Sequence, residues 1–317
     1  MIVTLTANPS VDRTMALDRG LERGGVFAAV RGVTDQPGGK GVNVARVLAL
    51  AGADAAAVLP ADHGDPLLAG LTAAGVLPLA VSVGRAARVN ITVTEPDGTT
   101  TKINDPGHPL SEQVRARLQE RLLAASVPGG WVVLAGSLPP GVPAEWYAVL
   151  TDNLKAAGRR VAVDTSGAPL LAAVRRSGSR PDLLKPNAEE LAFLTGDDPA
   201  LVEGDLRRAE AAARRLVEEG VGAVLLTLGA AGALLVRSGG AWQARPPRIT
   251  VRSTVGAGDS SLAGYLLAED RGADAPGCLA EAVAFGAAAA SLPGSTMPTE
   301  SDLDRDGVVV SAFDAAR

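Results

Sequence analysis

The run TVGAGD at residues 254–259 combines small residues with one acid and leads directly into an apolar, helically spaced stretch. Such a turn aims the backbone N–H groups of Gly256, Ala257 and Gly258 into one concavity, where the helix dipole also favours negative charge. Asp259 can then accept a proton from an attacking hydroxyl, and a weak base suffices for phosphoryl transfer. We therefore predict an anion hole and a general base. The alternative is a tight turn with an ordinary helix-start acid.

A second glycine-rich run, GGKGVN at residues 38–43, precedes an apolar helical pattern. Gly38 and Gly39 allow the backbone to approach a ligand closely. Lys40 supplies a positive charge, and Asn43 offers both a donor and an acceptor to sugar hydroxyls. The run indicates a sugar-binding segment, with a glycine turn before a buried helix as the alternative.

Two further segments follow apolar strands, which is where open α/β sheets bind ligands. In KPNAEE at residues 185–190, Asn187 and Glu190 would share one helix face and could organise Mg²⁺ through water. Asn187 could equally be a helix N-cap with Glu190 as its capping-box partner, and the two interpretations are compatible. The loop TLGAAG at residues 227–232 is a weaker signal of the same kind, because turn geometry alone would explain it.

Two common nucleotide-binding motifs are absent from the sequence. A P-loop requires Lys-Ser or Lys-Thr after its glycines, whereas Lys40 is followed by Gly41. A dinucleotide fingerprint that began at Gly256 would require a third glycine where the chain has Ser261. Phosphate binding in this chain therefore depends on a different glycine turn.

The elements that position these residues can be read from the apolar pattern. Short apolar runs that mostly lack alternation are typical of parallel strands covered on both faces. They lie at residues 2–5, 131–134, 161–163, 183–184, 224–228 and 234–236. A one-sided apolar stripe predicts a helix over residues 205–220. From about residue 130 the alternation predicts βαβ crossovers and a three-layer α/β/α fold with a mostly parallel central sheet.

One segment differs from that pattern. Residues 89–94 alternate between apolar and polar, a turn follows at 95–98, and alternation resumes over 99–103. This is a β-hairpin pattern, and its threonines and single apolar face suit a small sheet set apart from the main one, such as a lid over a cleft. The alternative is an edge hairpin of the main sheet.

Composition limits the classes of partner. A formal net charge of −5 and a pI near 5.2 do not provide the basic field of a nucleic-acid binder. The single Cys278 and the distant His63 and His108 do not suggest a disulfide or a zinc site. The longest apolar run, residues 282–292, is too short to span a bilayer, and the N-terminus lacks a basic signal region. We expect a soluble, cytoplasmic protein without nucleic-acid or membrane partners.

Taken together and in this order, the motifs resemble the ribokinase-like (PfkB) carbohydrate kinases over nearly the whole chain. The glycine–lysine run at residues 38–52 and TVGAGD are the two diagnostic signatures. Other runs are most similar to the branch of 1-phosphofructokinases and tagatose-6-phosphate kinases: TLTANPSVDRT (4–14), RVNI (88–91), GSLPPGVP (136–143), DTSG (164–167) and KPNAEEL (185–191). The chain departs from the family pattern at Ser260-Ser261, where a bulkier second residue is common.

The resemblance implies one ribokinase-like domain over residues 1–317, with a small β-sheet lid formed by strands inserted at about 10–35 and 86–104. It implies a homodimer paired through the lid, with ATP and Mg²⁺ as cofactors. Asp259 would be the base beside Gly256, Ala257 and Gly258. The substrate residues would be Asp12, Gly38, Gly39, Lys40, Asn43, Arg88, Asn90 and Ser137, with phosphate recognition resting chiefly on Arg88. The ATP residues would be Lys185, Asn187, Thr227, Gly229, Gly232 and, near the adenine, Gly286, and Glu190, Asn187 and Asp164 would arrange Mg²⁺.

The reaction that the resemblance implies is transfer of the ATP γ-phosphate to the 6-hydroxyl of D-fructose 1-phosphate. Kinases of the same family that act on tagatose 6-phosphate or fructose 6-phosphate are the alternatives within this class. A non-catalytic sugar-phosphate sensor is the alternative from another class, and the intact Asp259 argues against it.

Overall fold

A computed structural model describes residues 1–176 and 178–313 of the chain. In this range the β-strands are β1 (Ile2–Thr6), β2 (Ser10–Leu17), β3 (Ala29–Gly38), β4 (Ala55–Pro60), β5 (Leu77–Val81), β6 (Arg88–Thr94), β7 (Thr100–Ile103), β8 (Trp131–Ala135), β9 (Arg160–Asp164), β10 (Leu183–Leu184), β11 (Ala223–Thr227), β12 (Ala233–Arg237), β13 (Gly240–Arg245) and β14 (Val309–Ala312). The α-helices are α1 (Lys40–Leu50), α2 (Pro66–Ala73), α3 (Glu112–Ala125), α4 (Trp146–Ala156), α5 (Gly167–Arg175), α6 (Ala188–Thr195), α7 (Pro199–Gly204), α8 (Leu206–Glu218), α9 (Ala257–Asp270) and α10 (Ala275–Ser291).

The larger sheet has ten strands in the order β14-β13-β12-β11-β10-β9-β8-β1-β4-β5. Its strands from β11 to β5 are parallel, as the uninterrupted apolar runs predict. The run at residues 234–236, expected to be parallel like the rest, forms β12 and pairs antiparallel with β11, so that expectation is wrong. The reason is the connection: residues 228–232 form a short turn, and a parallel pair needs a long crossover.

Helices cover both faces of this sheet and give it two cores. Side chains of α1, α2, α9 and α10 pack on one face, while those of α3 to α8 pack on the other. Fully buried anchors include Leu48 and Phe285 in the first core, and Tyr147 and Leu216 in the second. Burial of each such side chain stabilises the fold by about 1.5–3 kcal/mol. The three-layer, mostly parallel fold predicted from the sequence is confirmed.

A separate sheet of four strands, in the order β3-β2-β6-β7, forms the small lid sheet. The predicted hairpin is β6 and β7, and it does not join the edge of the main sheet. Alternation gives the lid sheet two unlike faces: Asp12, Asn90 and Gln36 share one register row, whereas the neighbouring row on the other face holds Ile91 and Ile103. Strand β3 continues to Gly38, past the expected end at residue 35.

Helix α1 begins at Lys40, four residues before Val44, where the apolar helical pattern of the sequence starts. Gly39, at φ 113°, is its N-cap, and its carbonyl accepts from the amide of Asn43 at 2.9 Å. Gly41 fits because a Cβ there would be 2.8 Å from the carbonyl oxygen of Leu5. Lys40 and Asn43 therefore lie on a rigid first helical turn. Helix α8 matches the helix predicted over residues 205–220, and no helix in the described residues has the length and apolar character to cross a bilayer.

Candidate active site

The glycine turn at residues 254–259 forms the start of α9. Gly256 is the N-cap in the left-handed region at φ 77°, and its carbonyl accepts from the amide of Ser260 at 2.8 Å. The amides of Gly258 and Asp259 fall in the first turn, where a helix offers them no internal acceptor. A Cβ on Gly258 would be 3.3 Å from Nζ of Lys185, so this lysine lies directly against the helix start. The turn thus combines free amides with a cation, as an anion site requires.

The carboxyl group of Asp259 is buried, with 7% of the residue exposed. Nδ2 of Asn43 donates to its Oδ2 at 2.8 Å, across the contact between α1 and α9. Burial raises the pKa of Asp259 to about 6, with the charge of Asp164 adding to the effect and Lys40, Asn43 and Lys185 opposing it. The group is therefore mostly ionised near neutrality but basic enough to take a proton.

Asp164, at the carboxyl end of β9, is fully buried and lies between two ammonium groups. Nζ of Lys40 donates to its Oδ1 at 2.6 Å, and Nζ of Lys185 lies 3.2 Å from its Oδ2. Burial alone would raise the pKa of Asp164, but Lys185 and Lys40 outweigh it and hold the pKa below its usual range. Burial likewise opposes charge on Lys40, yet Asp164, Glu190 and Asp259 raise its pKa. The cluster is an electrostatic unit of two lysines and three acids.

The segment after β10 has the capping box that the sequence allowed. Oδ1 of Asn187 accepts from the amide of Glu190 at 2.8 Å, and Oε2 of Glu190 accepts from the amide of Asn187 at 3.0 Å. The other carboxylate oxygen of Glu190 lies 3.8 Å from Nζ of Lys40, which connects this cap to the lysine–aspartate cluster. A magnesium role for the pair stays a prediction.

Thr227 lies beside this cap. It forms an isolated parallel bridge with Asn187, and its amide donates to the carbonyl of Pro186 at 3.0 Å. Gly229 and Gly232 shape the turn that follows, with φ of 54° and 95°, and a Cβ on Gly232 would overlap a carbonyl of β13. The structure therefore brings Asn187 and Thr227 together and makes the two glycines turn residues.

Gly286 has a packing role in the structure. A Cβ there would overlap Oγ of Ser261 and would lie 3.4 Å from the carbonyl oxygen of Ala257. Gly286 on α10 thus allows close contact with helix α9, with which α10 packs along its length. Its proposed proximity to the adenine stays a prediction.

The other residues that the sequence predicts to bind substrate lie together beside the lid sheet. Oδ1 of Asp12 accepts from the hydroxyl of Ser10 at 2.7 Å and from Nδ2 of Asn90 at 3.0 Å. Gly38, which pairs with Ser10 in the neighbouring strand, lies against this side chain, because a Cβ on Gly38 would overlap the carboxyl group of Asp12. Ser137 accepts from Nδ2 of Asn8 at 3.4 Å. Polar side chains with oriented donors and acceptors suit the recognition of sugar hydroxyls.

Arg88, the first residue of β6, makes hydrogen bonds to uncharged oxygens. Its Nε and Nη2 donate to the carbonyl of Asn8 at 3.2 and 3.1 Å, and its Nη1 donates to Oδ1 of Asn90 at 2.9 Å and to the carbonyl of Asp105 at 2.5 Å. No carboxylate in the described part of the chain accepts a hydrogen bond from it. Burial lowers the pKa of Arg88, which Asp12 and Asp105 oppose, but a guanidinium stays charged.

The guanidinium of Arg88 faces a cleft of about 520 Å³. The cleft is lined by Asn8, Arg88, Asn90, Asn104, Asp105, Pro106, Ser137, Leu138 and Pro140. Its positive charge and amides suit an anionic polar ligand. Gly136, next to the lining residue Ser137, donates its amide to the carbonyl of Asp164 at 2.9 Å, so the cleft lining and the residue that carries a buried acid are adjacent.

A magnesium ion would have few direct protein ligands at this site. In the described residues no group of three or more acids, histidines or cysteines could hold a metal. Both oxygens of Asp164 lie against lysines, and one oxygen of Glu190 is engaged in the helix cap. The donor set fits an ion that is held mainly by water and by phosphate oxygens, which is the usual arrangement for magnesium.

Sequence reasoning missed two residues that lie beside the predicted substrate residues. The side-chain amide and the backbone carbonyl of Asn8 contact Ser137 and Arg88. Arg46 is buried in α1, where its Nη1 donates to the carbonyl of Pro37 at 3.0 Å, beside Gly38. The signal for Arg46 was present: it is a charged residue in an apolar helix, three residues after Asn43, and so on the same face.

Comparison with known proteins agrees with this geometry. The chain matches the family model described as pfkB family carbohydrate kinase over residues 5–302. It is 38% identical over 270 residues to the 1-phosphofructokinase of Xanthomonas campestris pv. campestris, which covers 84% of this chain and 83% of that protein. The 1-phosphofructokinase of Rhodobacter capsulatus is 36% identical over 304 residues, with 94% and 92% covered.

Solved structures give the same result for the fold. The structure of phosphofructokinase-2 from Escherichia coli in complex with fructose-6-phosphate superposes with a TM-score of 0.84 at 31% identity, and 95% of this chain and 96% of that chain are covered. The family and the ribokinase-like fold expected from the sequence are thereby confirmed. With 298 of its residues inside the family model, from 5 to 302, and two such relatives along most of its length, this chain belongs to the pfkB family of carbohydrate kinases.

Proposed function

We propose that this protein transfers the γ-phosphate of ATP to the 6-hydroxyl of D-fructose 1-phosphate, giving fructose 1,6-bisphosphate and ADP. One observation carries the proposal: the buried Asp259 carboxylate accepts from Asn43 at a helix start, and a neighbouring segment reaches both sides of the site, because the amide of Gly136 donates to the carbonyl of Asp164 at 2.9 Å while Ser137 lines the cleft with Arg88. A base at one end and an arginine at the other match a substrate with a hydroxyl at one end and a phosphate at the other. Membership of the family implies ATP as the donor.

In the proposed reaction, the carboxylate of Asp259 takes the proton of the 6-hydroxyl. The bond between that oxygen and the γ-phosphorus forms as the bond from the γ-phosphorus to the β,γ-bridging oxygen breaks, and ADP leaves. A pKa near 6 suits this task, because the carboxylate is ionised before the reaction and accepts the proton late in a loose transition state.

The proposed phosphoryl site is the start of α9. The amides of Gly258 and Asp259 and the ammonium group of Lys185 would receive the γ-phosphate oxygens. These donors are already fixed, Lys185 by Asp164 and the amides by the helix. Fixed donors stabilise charge that develops in the transition state without reorganising during the reaction.

Magnesium is the proposed companion of ATP. When bound, it would neutralise charge on the phosphate oxygens. In the chain, Glu190 and Asn187 would orient its water ligands through the capped end of α6, and Asp164 would act on it at longer range while holding Lys40 and Lys185.

At the other end of the substrate, Arg88 would bind the phosphate already present on the sugar. Its fork of donors fits a phosphate in a bidentate manner, and its present partners are neutral carbonyls that an anion can outcompete. Asp12 and Asn90 would hold sugar hydroxyls between the two ends. The names of both curated relatives support fructose 1-phosphate as the acceptor.

Within the family, fructose 6-phosphate is the alternative acceptor with support, since the E. coli relative has been solved with that ligand. A panel of fructose 1-phosphate, fructose 6-phosphate, tagatose 6-phosphate and free fructose, assayed by coupled ADP release with Mg·ATP, tests the proposal. We expect the highest kcat/KM with fructose 1-phosphate. A higher value with another phosphate would reassign the acceptor, and no ADP release with any of them would favour a sugar-phosphate sensor.

We further propose that the protein is a homodimer that pairs through the lid sheet. The face of the lid sheet opposite Asp12 is mostly apolar, with the Arg13–Asp35 ion pair among its polar groups, and in the single chain Val33 and Ile103 on it are 53% and 59% exposed. The two residues lie on the edge strands β3 and β7, and exposed apolar side chains on one face of a sheet mark an interaction surface. Light scattering should give twice the mass of the chain, and Ile103→Lys should shift the protein toward the monomer. A monomeric wild type would contradict the proposal.

A further inference from the structure

The strand that carries Arg88 is preceded by a loop, residues 82–87, that two acids hold in place. Oδ1 of Asp62 accepts from the hydroxyl of Ser82, from the amide of Val83 at 2.8 Å and from the amide of Gly84 at 3.1 Å. Together these bonds fix the beginning of the loop. They leave open what fixes its end, where the chain enters β6.

The end of the loop is held by Asp65. Its Oδ2 accepts from the amide of Ala87, the residue immediately before Arg88, at 2.8 Å. Its Oδ1 accepts from the amide of Leu67 at 2.9 Å and so caps α2. Asp65 is buried, with 7% exposed, and Ala87 is half-buried, so the bond between them is partly shielded from water, which strengthens it.

The same chain contains a second cap of the same kind without the second bond. Asp198 precedes Pro199 as Asp65 precedes Pro66, and its Oδ1 accepts from the amide two residues on at 2.9 Å. Asp198 is exposed and lies at α7, far along the chain from the lid. A helix cap alone therefore needs one acidic oxygen at the surface. Capping of α2 therefore does not explain why Asp65 is buried or why its second carboxylate oxygen accepts from the amide of Ala87.

The hydrogen bonds that Arg88 itself makes are weak. All of its observed partners are backbone carbonyls or the amide of Asn90, and hydrogen bonds to these neutral oxygens are weaker than an ion pair. Its placement along β6 then depends on where the strand begins. A change at Ala87 would move the guanidinium relative to the cleft and to Ser10, its neighbour in β2.

We infer that Asp65 is a positioning residue for sugar-phosphate recognition: it holds the amide of Ala87 and thereby sets the guanidinium of Arg88 at the cleft. This inference rests on the proposed function, because it assigns Arg88 to the phosphate of the acceptor. It predicts that Asp65 affects binding of the sugar phosphate and neither the ATP side of the site nor the base.

The test uses Asp65→Ser, because serine caps a helix about as well as aspartate but has a single short oxygen. We expect the KM for fructose 1-phosphate to rise about tenfold, the factor that one charge-assisted hydrogen bond is worth, with kcat and the KM for ATP within about twofold. The matched control is Asp198→Ser, which removes an acid from an Asp-Pro cap of the same geometry. It should leave all three constants unchanged.

A double-mutant cycle with Arg88→Ala separates positioning from a general loss of structure. If Asp65 acts through Arg88, Asp65→Ser adds little to the KM of Arg88→Ala, whereas an independent structural effect adds in full. Full additivity, or equal KM values for the Asp65 and Asp198 variants, would overturn the inference. Should Asp65→Ser fail to fold, Asp65→Asn, which keeps one of the two acceptors, is measured in the same cycle.

Failure of the proposed function has a different signature. If the wild type phosphorylates only another sugar phosphate, the assignment of fructose 1-phosphate is wrong, and the coupling of Asp65 to Arg88 is measured with that acceptor. If the wild type phosphorylates fructose 1-phosphate but shows no coupling, the inference about Asp65 alone is overturned.

Discussion

The two ends of the proposed substrate path are held in different ways. At the base end, Asp259, Asp164 and Lys185 are buried and are held by charges on the main sheet and its helices. At the recognition end, Arg88 is held by carbonyls from loops and by the lid sheet. The charged groups of the first end contact one another within a cluster of two lysines and three acids, so its geometry does not need a ligand. The second end keeps a free positive charge, which is what an anionic substrate can bind.

The largest expected effect comes from a substitution that changes the base end alone. Asp259→Asn removes the proton acceptor, so we expect kcat to fall about 10²- to 10⁴-fold, the range for a general base, with binding of the sugar phosphate largely kept. Coupled ADP assays and calorimetry measure the two quantities. The hydrogen bond from Asn43 can still form to the amide oxygen, so loss of structure is not expected. An unchanged kcat would refute the role of Asp259 as base.

The next effect breaks the recognition end. Arg88→Ala should raise the KM for the sugar phosphate roughly 10- to 100-fold, since charge-assisted hydrogen bonds to phosphate are lost, while kcat falls much less. The matched control is Arg13→Ala, an arginine of the same lid sheet that pairs with Asp35 at 2.7 Å on the other face. Steady-state kinetics should separate them, and equal KM values for the two variants would contradict the proposed role of Arg88.

The contrast between the ends also explains what the sequence could predict. Asp259 and the Asn187–Glu190 cap depend on neighbours within a few residues, so local motifs indicate them. The lid hairpin alternates between apolar and polar residues, the parallel strands are uninterrupted apolar runs, and both patterns can be read from a single sequence. The other site residues were predicted from the family resemblance, which rests on the order of the motifs.

What the sequence could not predict depends on long-range contacts. The bond from Ala87 to Asp65 joins residues 22 apart, and that between Asn8 and Ser137 joins residues 129 apart, with no local signature. The antiparallel direction of β12 depends on loop length more than on the composition of the strand. The shift in the pKa of Asp259 likewise needs the burial and the charge of Asp164, which only the fold brings near.

A smaller effect is the pH dependence of the base end. Because burial raises the pKa of Asp259 to about 6, kcat should fall as the pH drops below 6, tending to tenfold per unit. The folded protein binds this proton more tightly than the unfolded chain does. Ionised Asp259 therefore lowers the free energy of unfolding above pH 6, and this loss is recovered as the pH falls from about 6 toward its ordinary pKa.

The pH prediction has its own control. The sugar phosphate also titrates near pH 6, so the dissociation constant of fructose 1-phosphate should be measured against pH in Asp259→Asn by calorimetry. That variant should also have a higher free energy of unfolding than wild type at pH 8, by about 1–3 kcal/mol, because the buried charge is gone. Equal free energies of unfolding at pH 8 would mean that burial of the ionised carboxylate does not destabilise the fold.

The smallest expected effect concerns Gly286, which packs against α9, the helix that carries Asp259. Gly286→Ala would overlap Oγ of Ser261 and should lower the free energy of unfolding by about 1–3 kcal/mol, as overpacking does. Ser261→Ala removes that oxygen and leaves the new Cβ in ordinary contacts of 3.4 and 3.5 Å, so the double variant should regain most of the stability. Denaturant titration measures this rescue.

Gly264→Ala provides the control for this rescue. A Cβ there would be 2.6 Å from the carbonyl oxygen of Glu281, and Ser261→Ala does not remove this backbone atom, so it should not restore the stability of Gly264→Ala. Stability alone cannot show whether Gly286 also contacts the nucleotide, so the KM for ATP is measured on the rescued double variant. A restored fold with a raised KM for ATP would assign Gly286 to the adenine site. A restored fold with an unchanged KM would make Gly286 a packing residue alone and move adenine binding elsewhere.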